Sequence, residues 1–134
     1  MNRKKYHLPL GRPGRRHSYA PKATVHPTMR DLGWAAGFLE GEGSFDLNTR
    51  RRQPGVWRTP QVRAAQVQRE PLEKLVRLFG GKIYLQKHPS PRARQQHRWS
   101  IASDRARGVM MTLYAMMSLQ RKQQIRFALL SQST

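Results

Sequence analysis

The stretch that decides the fold is Ala35-Ala36-Gly37-Phe38-Leu39-Glu40-Gly41-Glu42-Gly43. Gly37 and Gly41 are four residues apart and share one helix face, with Ala36 nearby. Small residues in that arrangement let a second helix approach almost backbone to backbone. Upstream, Thr28 can cap the helix and Asp31 stands in the capping-box position, so the spacing predicts a helix from Met29 to about Gly41. Glu42 then falls near the helix end. Downstream, Phe45, Leu47 and Thr49 alternate with Asp46, Asn48 and Arg50, the pattern of a half-buried strand over Ser44–Arg50.

The other elements follow outward from this pair. The segment Arg51-Arg52-Gln53-Pro54-Gly55-Val56-Trp57 reads as a loop, and residues 59–68 as a second strand. Pro71 suits a helix start. Leu72, Leu75, Val76 and Phe79 form its apolar stripe, and Gly80-Gly81 ends it. Residues 82–88 and 98–103 read as strands around a Pro/Arg-rich loop. Ser103 is expected to cap a helix running to about Met117, and a last helix spans about Arg121 to Leu130. Met110, Met111, Met116 and Met117 are expected in the core. The fold class is α+β in the order α-β-β-α-β-β-α-α, a four-stranded antiparallel sheet with its helices on one face.

Composition speaks about partners. The 134 residues suit one domain with a core. There is no cysteine, which excludes disulfides and thiolate metal sites. No apolar run approaches the ~18 residues of a membrane span, so a soluble protein or a subunit of an assembly is expected. Lys and Arg number 26 against 7 Asp and Glu, a formal charge of +19. Such a balance is drawn to polyanions, nucleic acid first, because each neutralised phosphate releases a counterion.

The domain boundary is expected at residue 28. Residues 1–28 form a basic Pro/Gly/Arg-rich extension without acidic residues or periodicity, carrying Arg3, Lys4, Lys5, Arg12, Arg15, Arg16 and Lys22. It reads as an organelle-targeting peptide, a disordered arm, or an extension that folds into RNA grooves with Tyr6, His7, His17 and Tyr19 available for stacking. The five histidines, His26, His88 and His97 included, lack metal-ligand spacing and are expected to face solvent or nucleic acid.

The stretch 35–43 closely resembles the motif of the LAGLIDADG homing endonucleases in its GEG variant, with Ser44-Phe45 fitting as well. The resemblance extends to Gln66, to Arg69–Leu75, to Phe79-Gly80-Gly81 with Ile83-Tyr84, to Trp99, and to Arg121–Ile125. It covers about residues 29–131. It implies a saddle-shaped sheet whose exposed face reads base edges in the major groove of double-stranded DNA. Candidates for that face are Asp46, Asn48, Arg50, Arg63, Tyr84, Gln86, His88 and Arg98, with Arg50, Arg51, Arg52, Arg92 and Arg94 as phosphate contacts from loops and Arg121 and Lys122 as further nucleic-acid contacts. It further implies a homodimer packed through Ala36, Gly37 and Gly41, with Glu42 holding catalytic Mg²⁺ and Gln66 beside it. Glu40 matches the acidic position that serves structure.

One position departs from the family. The lysine placed just before the last helix aligns with Gln120, followed by Arg121 and Lys122. A one-residue shift on a helix turns a side chain by about 100°. The sequence therefore supports a repurposed, non-catalytic RNA-binding protein of a large ribonucleoprotein such as an organellar (mitochondrial or chloroplast) ribosome, in contact with rRNA and ribosomal proteins. The alternative is an active Mg²⁺-dependent homodimeric DNA endonuclease, or a maturase of the same fold.

Overall fold

The computed structural model describes residues 21–52, 55–87, 89–90, 92 and 94–131. Arg3, Lys4, Lys5, Arg12, Arg15, Arg16 and His88, named above, lie outside the described residues, as do the side chains of Arg50 and Arg52. The elements are α1 (Met29–Glu42), β1 (Gly43–Arg52), β2 (Gly55–Gln66), α2 (Glu70–Phe79), β3 (Lys82–Gln86), β4 (Gln96–Ala102), α3 (Ser103–Leu113) and α4 (Leu119–Leu130), with a short 3-10 turn at Tyr114–Met116. This is the α+β order expected from the sequence.

Helix α1 starts where its cap dictates. Thr28 Oγ1 accepts from Asp31 N–H (3.1 Å), and Asp31 Oδ2 accepts from Thr28 N–H (3.0 Å). These reciprocal bonds satisfy two amides that a helix otherwise leaves unpartnered, and the Thr28 bonds hold the Asp31 carboxyl below its ordinary pKa. The helix ends at Gly43, where a Cβ would lie 2.8 Å from the Leu39 carbonyl. Helix α2 carries Glu70 and Glu73 in its first turn and stops at Gly80 and Gly81, whose φ values of 78° and 97° only glycine adopts easily.

The four strands form one antiparallel sheet in the order β1-β2-β4-β3. Phe45, Val62, Ala64, Trp99 and Ile101 are buried on one face, beneath helix residues that include Ala35, Leu39, Leu72, Leu75, Met110, Leu113 and Ile125. Trp99 is fully buried, and its Nε1–H donates to the Gly80 carbonyl at 2.8 Å, so the largest core side chain also has its polar atom satisfied.

The structure corrects several expectations. Residues 51–52 and 55–57, expected in a loop, are strand: β1 runs on to Arg52 and β2 starts at Gly55. Ser103 does not cap α3. It is the first helical residue, with φ 59°, and no side-chain bond caps that end, because the chain turns sharply out of β4 there. Met110 and Met117 are in the core, but Met111 (64% exposed) and Met116 (39%) face outward: Met111 follows the buried Met110 by one residue, about 100° round the helix, and Met116 lies in the tighter turn after Leu113. Pro21 and Thr24, on the N-terminal side of the expected boundary, are bonded to the folded unit. Pro21 O accepts from Gly81 N–H (2.8 Å) and from Arg105 Nη1 (3.0 Å), and Thr24 N–H donates to Arg77 O (3.0 Å).

Candidate nucleic-acid interface

The strand alternation assigns the polar residues to the side of the sheet away from the helices. In register, Ser44 pairs with Arg63 and Arg63 with Ser100, which pairs with Lys82. Asp46, Asn48, Arg63, Tyr84, Gln86 and Arg98 all share this parity, opposite to Phe45, Val62, Trp99 and Ile83. Among the described residues α4 borders this side at its β1 edge, where Gln123 and Phe127 line a groove with Ser44 and Asp46; the remainder is the candidate surface for a ligand as wide as a nucleic acid.

Its arginines are largely engaged within the chain. Arg63 forms an ion pair with Asp46, diagonal to it across β1 and β2. Arg63 Nε and Asp46 Oδ1 remain buried without a partner among the described residues, so one donor and one acceptor of the pair are left for a ligand or water. Arg98 donates from Nε (2.9 Å) and Nη2 (2.6 Å) to Gln86 Oε1, which fixes the amide of Gln86. Tyr84 is exposed beside them.

Arg121 is placed differently from the expectation of a nucleic-acid contact. Its guanidinium donates from Nε (3.2 Å) and Nη2 (2.9 Å) to the Glu40 carbonyl, and from Nη1 (3.0 Å) to Gln124 Oε1. With its side chain only 18% exposed, it satisfies a carbonyl in the last turn of α1. Glu40 completes the clamp: its Oε1 accepts from Ser118 N–H (2.9 Å) just before α4. That bond and the nearby Arg121 charge hold the Glu40 carboxyl below its ordinary pKa. The structural role expected of Glu40 is thus visible as a bridge between two helix ends. Lys122 is also used locally, its Nζ lying 5.6 Å from the ring centre of Tyr114.

Glu42 ends α1 exposed, in no ion pair among the described residues. Among those residues no three His, Cys, Asp or Glu side chains converge. A lone exposed carboxylate still suits Mg²⁺, which keeps several waters and takes one or two carboxylates with substrate phosphates. Glu42 is the residue that would hold the ion, which would activate a water and stabilise a leaving oxygen. Gln66 lies on the helix-side parity, paired in register with His97, and no hydrogen bond joins it to Glu42. Gln120 lines a groove with Ser44, Asp46, Gln123 and Phe127 and brings no charge to it. His97 accepts from or donates to no acidic group; its Nδ1 lies 3.1 Å from Val67 O.

Of the packing residues, Ala36 is corrected: it is 4% exposed and belongs to the chain's own core. Gly33, Gly37 and Gly41 instead form the open stripe of α1, and a Cβ on any of them would meet nothing within 4 Å. Gly33 was missed, although its spacing of four from Gly37 was there to read. Trp34 and Phe38 flank the stripe, stacked at 5.3 Å, with Lys74 Nζ 4.3 Å from the Trp34 ring centre.

The sheet carries one feature that sequence reasoning missed. Pairing between β2 and β4 begins only at Gln61↔Ala102. Pro60, which has no N–H to give a ladder, lies just outside it. From there to the tip, residues 55–60 pair with residues 47–52 alone. The result is a two-stranded arm of about 20 Å at ~3.3 Å per residue. Arg92 and Arg94 are exposed between β3 and β4, with Arg92 N–H bonded to Ser90 Oγ (3.3 Å).

No protein-family model matches the chain, and no curated protein matches it either. Solved structures do. An archaeal intron-encoded homing endonuclease, I-Vdi141I, complexed with DNA, is 23% identical with a TM-score of 0.57, over 73% of this chain and 64% of its own. I-CvuI in complex with its target is 15% identical with a TM-score of 0.61, over 77% and 68%. The group I intron-encoded homing endonuclease I-CeuI, complexed with DNA, is 19% identical with a TM-score of 0.57, over 79% and 55%. The chain therefore spans between about half and two thirds of these proteins' lengths. With an open, polar sheet face, a helix ending in Gly-Glu-Gly and these structural matches, the chain has the fold of the LAGLIDADG homing endonucleases.

Proposed function

We propose that this chain is a non-catalytic nucleic-acid-binding protein, a LAGLIDADG fold used as an RNA-binding scaffold within a large ribonucleoprotein such as an organellar ribosome. The observation that carries it is the state of Arg121. Gln120 is neutral where the family places its lysine, and the adjacent cation is committed to the Glu40 carbonyl. Glu42 can bind phosphate through a metal, but with Gln120 neutral and Arg121 bound to the Glu40 carbonyl, the described residues offer no uncommitted cation at the lysine position to support developing charge on the phosphodiester. The solved proteins of this fold that carry DNA, together with the formal charge of +19, support nucleic acid as the ligand.

The test is sedimentation of native extract, followed by Glu42→Ala. Co-migration with ribosomal particles that survives moderately high salt, and binding unchanged by Glu42→Ala, are the expected results. A free protein that cuts duplex DNA when Mg²⁺ is added, and stops when Glu42 is replaced, overturns this reading. That second reading, a homodimeric endonuclease, draws on the open stripe of Gly33, Gly37 and Gly41, a helix face smooth enough for a second copy.

A further inference from the structure

The β1–β2 arm combines three properties that the sheet body does not. It is paired on one side only by its own two strands, it contains no acidic residue between Asn48 and Thr59, and it presents an aromatic ring. Trp57 is 49% exposed near the tip, paired in register with Arg50, with Arg51 exposed on the neighbouring position. Of the three tryptophans, Trp99 is fully buried and Trp34 is stacked on Phe38 beneath Lys74, whereas Trp57 lies outside the core and makes no ring contact among the described residues. A half-exposed indole leaves apolar area in water that a partner can bury.

We infer that Trp57 is a stacking platform for an unpaired base, with the arginines of the arm holding the phosphates on either side. This inference rests on the nucleic-acid reading above and narrows the ligand from duplex to a bulge, loop or single strand. The charge decides the occupant: a strand segment bearing Arg50, Arg51, Arg52 and Arg58 repels basic surfaces and attracts a polyanion. The ring decides which polyanion, because a base stacked within a duplex offers no free face, whereas an unpaired one offers its whole π surface. The geometry agrees, since the exposed outer end of the arm, Gly55–Arg58 on β2, extends about 13 Å and can enter a loop that the broad sheet body cannot.

The experiment compares the full chain with Trp57→Ala and Trp57→Phe on three probes at one salt concentration: an RNA stem with a single-base bulge, the same stem fully paired, and the bulged stem as DNA. The expected result is a loss of roughly 5- to 150-fold on bulged RNA for Trp57→Ala, the range for one base–aromatic stack, with less than about a twofold change on the paired stem. Trp57→Phe keeps most of the affinity, which rules out a folding defect as the cause. Equal behaviour of bulged DNA supports stacking without sugar preference; discrimination confined to RNA supports it with a 2′-hydroxyl contribution. An equal loss on bulged and paired stems, or no loss on either, overturns the inference while leaving nucleic-acid binding intact. Failure of the unaltered protein to bind any of the three sinks both.

Discussion

The sheet body and the β1–β2 arm are both rich in arginine, but the arm carries no acidic residue to balance it. In the body, Arg63 is matched by Asp46, Arg98 by Gln86 and Arg121 by the Glu40 carbonyl. In the arm, four arginines occur between residues 50 and 58 with no acidic neighbour in sequence. The comparison teaches that a count of basic residues is not a count of cations available to a ligand. Arginine presents a planar fork of donors, and where a carbonyl or amide oxygen lies within reach, folding itself consumes the fork.

Four substitutions break or sharpen that contrast. Trp99→Ala belongs to the body alone, and it empties the largest buried site while orphaning the Gly80 carbonyl. It should cost about 3–5 kcal/mol in urea unfolding; a cost below 1 kcal/mol, on the scale of ordinary surface changes, would mean the core is not centred there. Arg121→Ala should cost about 1.5–3 kcal/mol, the range for hydrogen bonds from a charged donor, with little change in nucleic-acid affinity at permissive temperature. If affinity falls and stability does not, Arg121 belongs with the arm and the contrast fails. Arg51→Ala should do the reverse, reducing the slope of log K against log salt by about 1 while leaving the melting temperature unchanged.

The smallest effect is one of pH. The Glu40 carboxyl is held below its ordinary pKa by the Ser118 amide and the Arg121 charge. A depressed carboxyl contributes stability that is fully present above its unfolded pKa and lost as pH falls through the folded value. Glu40→Gln should therefore flatten the loss of melting temperature below about pH 4, measured against the unaltered protein. Asp31 is shifted in the same direction, so part of the acid sensitivity should persist in that variant.

Much of the body was legible because its signals are local. Thr28 with Asp31, Pro71 before an apolar stripe, and Gly80-Gly81 after it each declare an element boundary within four residues. The arm was misread for a physical reason. The outer residues of β2, Gly55–Arg58, are exposed on both faces, so the alternation that announces a strand has nothing to sort there, and Pro54-Gly55 then looks like the middle of a loop. The β-prone pair Val56-Trp57 was the remaining trace of it. The role of Arg121 was hidden more deeply, because its partner is a backbone carbonyl at residue 40, and a carbonyl leaves no mark in a sequence. Asp46 and Arg63 were each placed on the open face, but their pairing required the strand register to be known.

The bonds that fasten Pro21 to Gly81 and Arg105, and Thr24 to Arg77, bear on how binding strength accumulates. They root the preceding chain beside the start of β3, while the arm grows from β1 and β2 at the other edge of the sheet. With strands ~4.8 Å apart, the two edges are separated by about 15 Å. The six Lys and Arg of residues 1–20 are therefore tethered to the same body as the arm. If the arm engages a polyanion as inferred, contact by these six residues becomes an intramolecular event, because they belong to the same chain. Avidity of this kind multiplies weak phosphate contacts without any one of them being strong.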